Sequence, residues 1–580
     1  MPIPKSIKAL RTAPTSLLTR FPFLGSMMEF LTLFLFTAFF LFYGLVPIFG
    51  GDGIGLVGAD EPRYAQVARE MLQRHDYVTP ILYGTPWLEK PALYYWRAMF
   101  AFREFGVHDW AARLPSASFA FVLVILIFLH MRRFRPGGQL DAALLTASCV
   151  GILSFARGAS TDMQLAAPFC IGMLGWYAWY ETDSKFWLFD LYFFVGAATL
   201  AKGPVAPFLA LVIITAFAAL RKEWSLLRRS IWWPGIGLYL AMVLPWFIAV
   251  QRRNPNFLRV FFLEHNIERF ATNRFEHEQH FWYYIPVILL SLLPWTVLAI
   301  AALTNAVQGS IAEWRARRAK FHYMGHQRTG DAFPEFLVLW AVIPIVFFSF
   351  SESKLPGYIL PSVPPLTILC GDYLNRMREK GLKPWLLILH GLFAGCLTML
   401  VLLMPRLIQR FEMPPANAMI AAGTTGFAAA IFILITTARF GLKRLRIATM
   451  IPMVILLLFL YGVGPFFGFA QVKSTKGNIQ LIDLTYSART LTKMLDQVVP
   501  PDGTVAVYRV RRDVEYGISF YRNKKTVNYE LDGIPPEQHI LVVRASYIDE
   551  LRQKLTGRRY EPLFVYPAQN LVIYAVAAQQ

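Results

Sequence analysis

Apolar runs long enough to cross a bilayer recur along most of this chain, and nothing else in it restricts the fold so severely. A spanning helix needs roughly 20 mostly apolar residues, since the hydrocarbon offers no water to an unpaired backbone group. Runs of this kind occupy Met28–Phe49, Ser116–Met131, Leu140–Ala156, Gln164–Tyr180, Phe186–Ala201, Val205–Leu220 and Ile231–Val250. They continue at Trp282–Val307, Pro334–Phe350, Tyr358–Leu374, Pro384–Met404, Ala418–Ala438 and Ile447–Gly468. The pattern predicts an all-α integral membrane unit of about thirteen spans, give or take one or two. Charged residues make up 16% of the chain, against about 25% in soluble domains. That excludes a cytosolic enzyme, a disordered protein and a disulfide scaffold. Cys149, Cys170, Cys370 and Cys396 all fall inside apolar runs, as packed thiols do.

The net charge of +20 would suit a nucleic-acid binder in a polar chain. Here it tests orientation instead. With the N-terminus in the cytoplasm, alternate connections should collect Lys and Arg. They hold 25 of the 57 basic residues, from Lys5 and Arg11 through Arg132, Arg133 and Arg228 to Lys443 and Arg444. The short connections on the other side hold five: Arg157, Lys202, Lys354, Arg406 and Arg410. An odd number of spans then puts the chain's end outside, with no nucleic-acid partner implied.

Two long outward loops interrupt the hairpin rhythm, residues 50–115 and 251–281, and both carry patterns of helices lying in the membrane interface. The chain divides into a membrane unit, residues 1–470, and a tail, residues 471–580, that reads as a small α/β domain. In the tail TVAVYRV, GISFYR, ILVVRA and LVIYAV read as strands, with SARTLTKMLDQVV and SYIDELRQKL as helices.

Charge near a bilayer is costly unless paired, hydrated or used, and the outward side presents a defined set of charges. GADEPRYAQVAREM supplies Asp60, Glu61 and Arg63, and TPWLEKPALYYW supplies Glu89 and Lys90. Asp162 follows Arg157 in ARGASTDMQ, Lys202 sits in LAKGP, and Lys354 and Tyr358 in SESKLPGYILP. Carboxylates on separate loops, ringed by cations, suit a site that binds anionic groups and handles leaving-group charge. Each has a plainer reading. Asp60 before Glu-Pro makes a good helix N-cap, and Asp162 after Ser-Thr another. Lys202 and Lys354 could snorkel to headgroups. Glu89 and His265 form a candidate ligand pair for a divalent cation such as zinc, although His265 is equally an interface histidine.

Taken together, GADEPRYAQVAREM, WLEKPALYYW, TDMQLA, LAKGP, EHNIERF and KLPGYILP resemble the GT-C glycosyltransferases. Within them the likeness is to the branch of bacterial aminoarabinose transferases, with protein O-mannosyltransferases more distant. The resemblance spans the chain. It implies an inverting enzyme that uses a sugar on undecaprenyl phosphate and a lipid A phosphate acceptor at the periplasmic face of the inner membrane; a monomer is only the default expectation. It implies catalytic roles for Asp60 and Asp162. Glu61, Arg63, Lys90, Lys202, Arg269, Lys354 and Tyr358 would bind substrate and its phosphates. A lipid-linked sugar transporter is the rival class; it calls for internal repeats and ionisable residues at span midpoints. The acid set deepest inside a run is Asp190, and it too lies near the cytoplasmic end.

Overall fold

The computed structural model describes residues 22–46, 54–268, 279–320, 331–410, 416–458 and 483–579. Within them, each predicted run falls on a helix or a bent helix pair. Among the described residues five helices are long and apolar enough to cross a membrane on their own, and two bent pairs raise that to seven if each is one span. Val205–Arg221 and Phe333–Ser349 are shorter apolar helices. The last predicted run is described only as far as Leu458.

Both bends fall within runs that read as single spans. Gln139–Ser148 and Val150–Ala156 meet at 60°, with Cys149 extended between them. Phe281–Ser291 and Thr296–Arg315 meet at 115° across a break containing Pro294, which has no amide to donate. The two breaks face each other. Val150 donates its amide to Leu293 O at 2.9 Å, and Trp295 Nε1 donates to Ser148 Oγ at 2.9 Å. Each kink thus supplies partners that the other has lost, which keeps broken helices tolerable at membrane depth.

The helix Asp162–Thr182 is the axis of the bundle, buried from Met163 through Tyr180. Its Trp176, Tyr177 and Tyr180 pack with Phe217, Phe333 and Phe336. At that end of the bundle several predicted orientation charges are paired. Asp141, 2% exposed, binds both Arg378 and Arg446, joining three helix ends. Arg221 reaches the buried Glu335 at 2.8 Å.

The opposite end carries a cap. Residues 54–108 form the helix Asp60–Gln73, the hairpin of β1 (Ile81–Leu82) and β2 (Thr85–Pro86), and the helix Leu93–Phe105. Protein covers the first of these helices on most sides; its buried residues run from Glu61 to Met71 apart from Arg63. It is therefore a core helix of the cap rather than one resting in lipid. In the second loop, Arg259–Glu268 is π-helical, and residues 269–278 lie outside the described residues.

The tail is a five-stranded sheet of order β4-β3-β5-β7-β6, with β3 (Thr504–Tyr508) parallel to β4 (Val527–Asn528) and β5 (His539–Arg544). The last strand, β7 (Leu571–Val576), runs antiparallel to β5 and to β6 (Tyr560–Tyr566). Three of the four predicted strands match. GISFYR does not: it belongs to the helix Arg512–Arg522. That helix is buried on two faces. Val514 and Ile518 pack toward the sheet, while Tyr516 and Phe520 enter the loop's core. Apolar residues at 514, 516, 518 and 520 then alternate along the sequence and imitate a strand.

Loop and tail form one body. Gly55 and Leu56 donate their amides to Asp483 Oδ1 and the Tyr521 hydroxyl, both at 2.7 Å. Tyr521 in turn donates to Asp109 at 2.9 Å, and Arg489 pairs with Asp109 at 3.1 Å.

Candidate active site

Glu61 organises the site. Its carboxylate accepts the Val57 and Ala159 amides, both at 2.7 Å, and two bonds from Arg113 at 3.0 and 2.5 Å. The two side chains are 10% and 6% exposed. Arg113 also donates to the carbonyls of Ile54 and Gly55. This staple ties the first turn of the Asp60–Gln73 helix to the turn before the Asp162–Thr182 helix. Asp60 precedes Glu61, and Asp162 lies three residues past Ala159, so one buried contact joins the starts of the two helices that carry the predicted catalytic carboxylates. With its bonding capacity taken up, Glu61 serves here as a structural anchor.

Asp60 and Asp162 do not cap their helices. Ala59 and Thr161 hold the N-cap positions, with no side-chain cap bond, and each Asp is the first helical residue. Asp60 pairs with Arg63 one turn on and is 55% exposed, whereas Arg63 is only 14% exposed. The Arg63 guanidinium lies 4.9 Å from the Trp87 ring centroid, 5.4 Å from Tyr64 and 5.6 Å from Tyr516. Burial opposes its charge, but Tyr64, Asp60 and Glu89 outweigh burial and raise its pKa above the usual range. Arg63 is thus a fixed cation that aims an accessible carboxylate.

Asp162 pairs with Lys202, whose ammonium lies 5.3 Å from the Tyr358 ring centroid. The pairing replaces the snorkelling expected for Lys202. Lys354 does not snorkel either: it is 6% exposed, and its ammonium donates to Ser351 O at 2.5 Å. Two glycines permit this packing. Gly203 has φ of +82°, and a Cβ there would lie 2.5 Å from the Phe261 ring, so the second loop closes directly over the end of the Lys202 helix. A Cβ on Gly357 would overlap Asp162 Oδ1 and lie 2.9 Å from Phe155. Gly357→Ala should therefore displace the Asp162 carboxylate and lower turnover about tenfold or more. Steady-state rates per folded enzyme, beside an unchanged melting profile, check this.

Glu89 Oε1 and His265 Nε2 are 3.9 Å apart, which brings together the two predicted cation ligands. No group of three or more His, Cys, Asp or Glu suited to a metal occurs among the described residues. Lys90 is half-buried beside Glu89, and Arg269 lies outside the described residues. Sequence reasoning missed Arg113, Trp87, Gly357 and Tyr516 as parts of the site. Trp87 and Gly357 sit inside motifs already singled out; Arg113 and Tyr516 carried no local signal.

Known proteins resemble this chain in sequence and in fold. A family model described as dolichyl-phosphate-mannose-protein mannosyltransferase matches residues 29–261. The undecaprenyl phosphate-alpha-4-amino-4-deoxy-L-arabinose arabinosyl transferase of Serratia proteamaculans is 28% identical over 504 residues, 83% of this chain and 86% of the relative. A transferase of the same name from Pseudomonas fluorescens is 32% identical over 381 residues, 63% of this chain and 64% of its own length. Among solved structures, ArnT from Cupriavidus metallidurans bound to undecaprenyl phosphate superposes with a TM-score of 0.70 at 21% identity, covering 95% of this chain and 98% of that one.

The chain is a multi-pass membrane glycosyltransferase. Its residues 29–261 match a mannosyltransferase family model, and it is similar over most of its length to an undecaprenyl phosphate-aminoarabinose transferase.

Proposed function

We propose that this chain moves 4-amino-4-deoxy-L-arabinose from undecaprenyl phosphate to the phosphate groups of lipid A, acting as a monomer at the periplasmic face of the bacterial inner membrane. The N-terminus is then cytoplasmic and the cap periplasmic, as the distribution of Lys and Arg supports. The modification removes negative charge from lipopolysaccharide and so gives resistance to polymyxin and cationic peptides. The observation that carries the reading is the pair of acid–base couples, Asp60–Arg63 and Asp162–Lys202, held at one end of the bundle by Glu61.

In the reaction a lipid A phosphate oxygen attacks the anomeric carbon. The carbon–oxygen bond to undecaprenyl phosphate breaks, that phosphate leaves with the electron pair, and the carbon inverts. The attacking oxygen is already anionic, so the step needs no base. The obstacle is repulsion between phosphates. Arg63, Lys90, Lys202, Arg269 and Lys354 offset it, and Tyr358 donates a hydrogen bond to a phosphate oxygen. Asp60, accessible and aimed by Arg63, sits against the reacting centre, where its charge balances the developing oxocarbenium or the sugar's amine. Asp162, held by Lys202, orients the substrate.

Glu89 and His265 would hold a divalent cation such as zinc, whose chemistry would be to neutralise phosphate charge. Two protein donors need further ligands from substrate or water. Bound zinc measured by elemental mass spectrometry should then fall in Glu89→Gln protein, and equal content in both would remove the cation from the account.

The mannosyltransferase-family match favours a second reading, transfer to a Ser or Thr hydroxyl, for which Asp60 would be the base. Proteoliposomes holding the lipid-linked aminopentose separate the two. Sugar on lipid A supports the first reading, sugar on protein the second, and donor crossing the bilayer without transfer the transporter.

A further inference from the structure

We propose that Tyr516, far away in the tail, is a positioning residue for the transfer reaction: its ring closes the aromatic cage that fixes Arg63 and so aims Asp60. The inference rests on Asp60 and Arg63 belonging to the site, and it gives the tail a part in forming that site.

Three observations carry it. First, the cage has walls from both parts of the chain. Tyr64 and Trp87 come from the first outward loop, and Tyr516 comes from the helix Arg512–Arg522. All three centroids lie within the roughly 6 Å over which a guanidinium is attracted to a ring face. Second, among the described residues little else holds Arg63. Its Nε is buried with no hydrogen-bond partner, and its ion pair is to the half-exposed Asp60. Third, Tyr516 is itself fixed in place. One helical turn beyond it, Phe520 is buried in the core of the loop. Arg69 donates to the Phe520 carbonyl at 2.8 Å and lies over its ring at 4.1 Å. Tyr521 accepts the Leu56 amide. These contacts set the rotation of the tail helix and turn Tyr516 toward Arg63.

The consequence is specific. A site built from the loop alone would leave one side of Arg63 open to water, and the Asp60 carboxylate would lose its fixed partner. The ring does this work rather than the hydroxyl, since a ring face attracts a cation through its quadrupole.

The test uses the full-length chain in proteoliposomes. Tyr516→Leu keeps apolar volume but removes the ring face, and Tyr516→Phe restores it. Tyr516→Leu should lower kcat about tenfold with a smaller change in KM, and Tyr516→Phe should recover the rate. In an Arg63→Gln background Tyr516→Leu should cause no further loss. A second readout needs no activity: phenylglyoxal modification of Arg63, followed by peptide mass spectrometry. Labelling should be slow in the original chain and in Tyr516→Phe, and several-fold faster in Tyr516→Leu. Equal losses with and without Arg63, or Arg63 labelling that ignores Tyr516, would overturn the proposal. If the original chain transfers no aminopentose, the proposed function fails while labelling still decides the role of Tyr516.

Discussion

Asp60→Asn and Asp162→Asn each lower sugar transfer by roughly a hundredfold or more, the usual cost of losing a charge aimed at a developing one. The two losses have different origins. Asp60 is more than half exposed and pairs with one cation, so its replacement leaves the fold intact and removes the charge proposed to face the anomeric carbon. The effect should fall mainly on kcat. Asp162 is mostly buried against Lys202 and Gly357, so its replacement frees the lysine as well as removing a charge. Both kcat and KM should change. Initial rates in proteoliposomes over a range of donor concentrations separate these outcomes, and original turnover in both variants would contradict the site assignment.

The acid next to Asp60 should behave in the opposite way. Glu61→Ala removes one partner of a buried pair and leaves Arg113 without its carboxylate, which costs about 3–5 kcal/mol of stability. It also frees the Val57 and Ala159 amides. Asp60→Ala, at a half-exposed pair, should cost no more than about 1 kcal/mol. Thermal unfolding in detergent distinguishes the neighbours: a clear loss of stability for Glu61→Ala, and almost none for Asp60→Ala. A Glu61→Ala protein that is fully stable but inactive would mean that Glu61 touches substrate.

Much of this could be read in the sequence because a membrane makes polar residues conspicuous. Asp162, Lys202 and Lys354 stand out as charges at the ends of apolar runs, where they must be paired or used. Their pairing was less visible. Lys202 taken alone read more readily as a snorkelling residue, and only the fold places the Asp162 carboxylate and the Tyr358 ring against it. Asp60 and Glu61 were indistinguishable as a dipeptide. Their division into an accessible acid and a buried staple depends on Arg113, which lies 52 residues further on. The kinks at Cys149 and Pro294 are likewise paired over long range, each stabilised by the other. In the tail, burial on two faces gave the Arg512–Arg522 helix the alternation of a strand. The same two-sided burial makes it a bridge between the sheet and the loop.

The charge of +20 resolves into separate tasks. Arg221, Arg378 and Arg446 join helix ends away from the cap through buried acids. Beneath the cap Arg113 is a staple, and within it Arg69 holds the tail helix. Arg63 and Lys202 remain beside accessible or functional carboxylates, where phosphorylated lipids would meet.

The mass of lipid A from cells that express this chain, compared with cells expressing Asp60→Asn, decides whether the chain transfers aminopentose through this site. Lipid A should gain one aminopentose per modified phosphate with the original chain and almost none with the variant. Unshifted lipid A beside a newly glycosylated protein, or the same shift in both strains, would contradict that expectation.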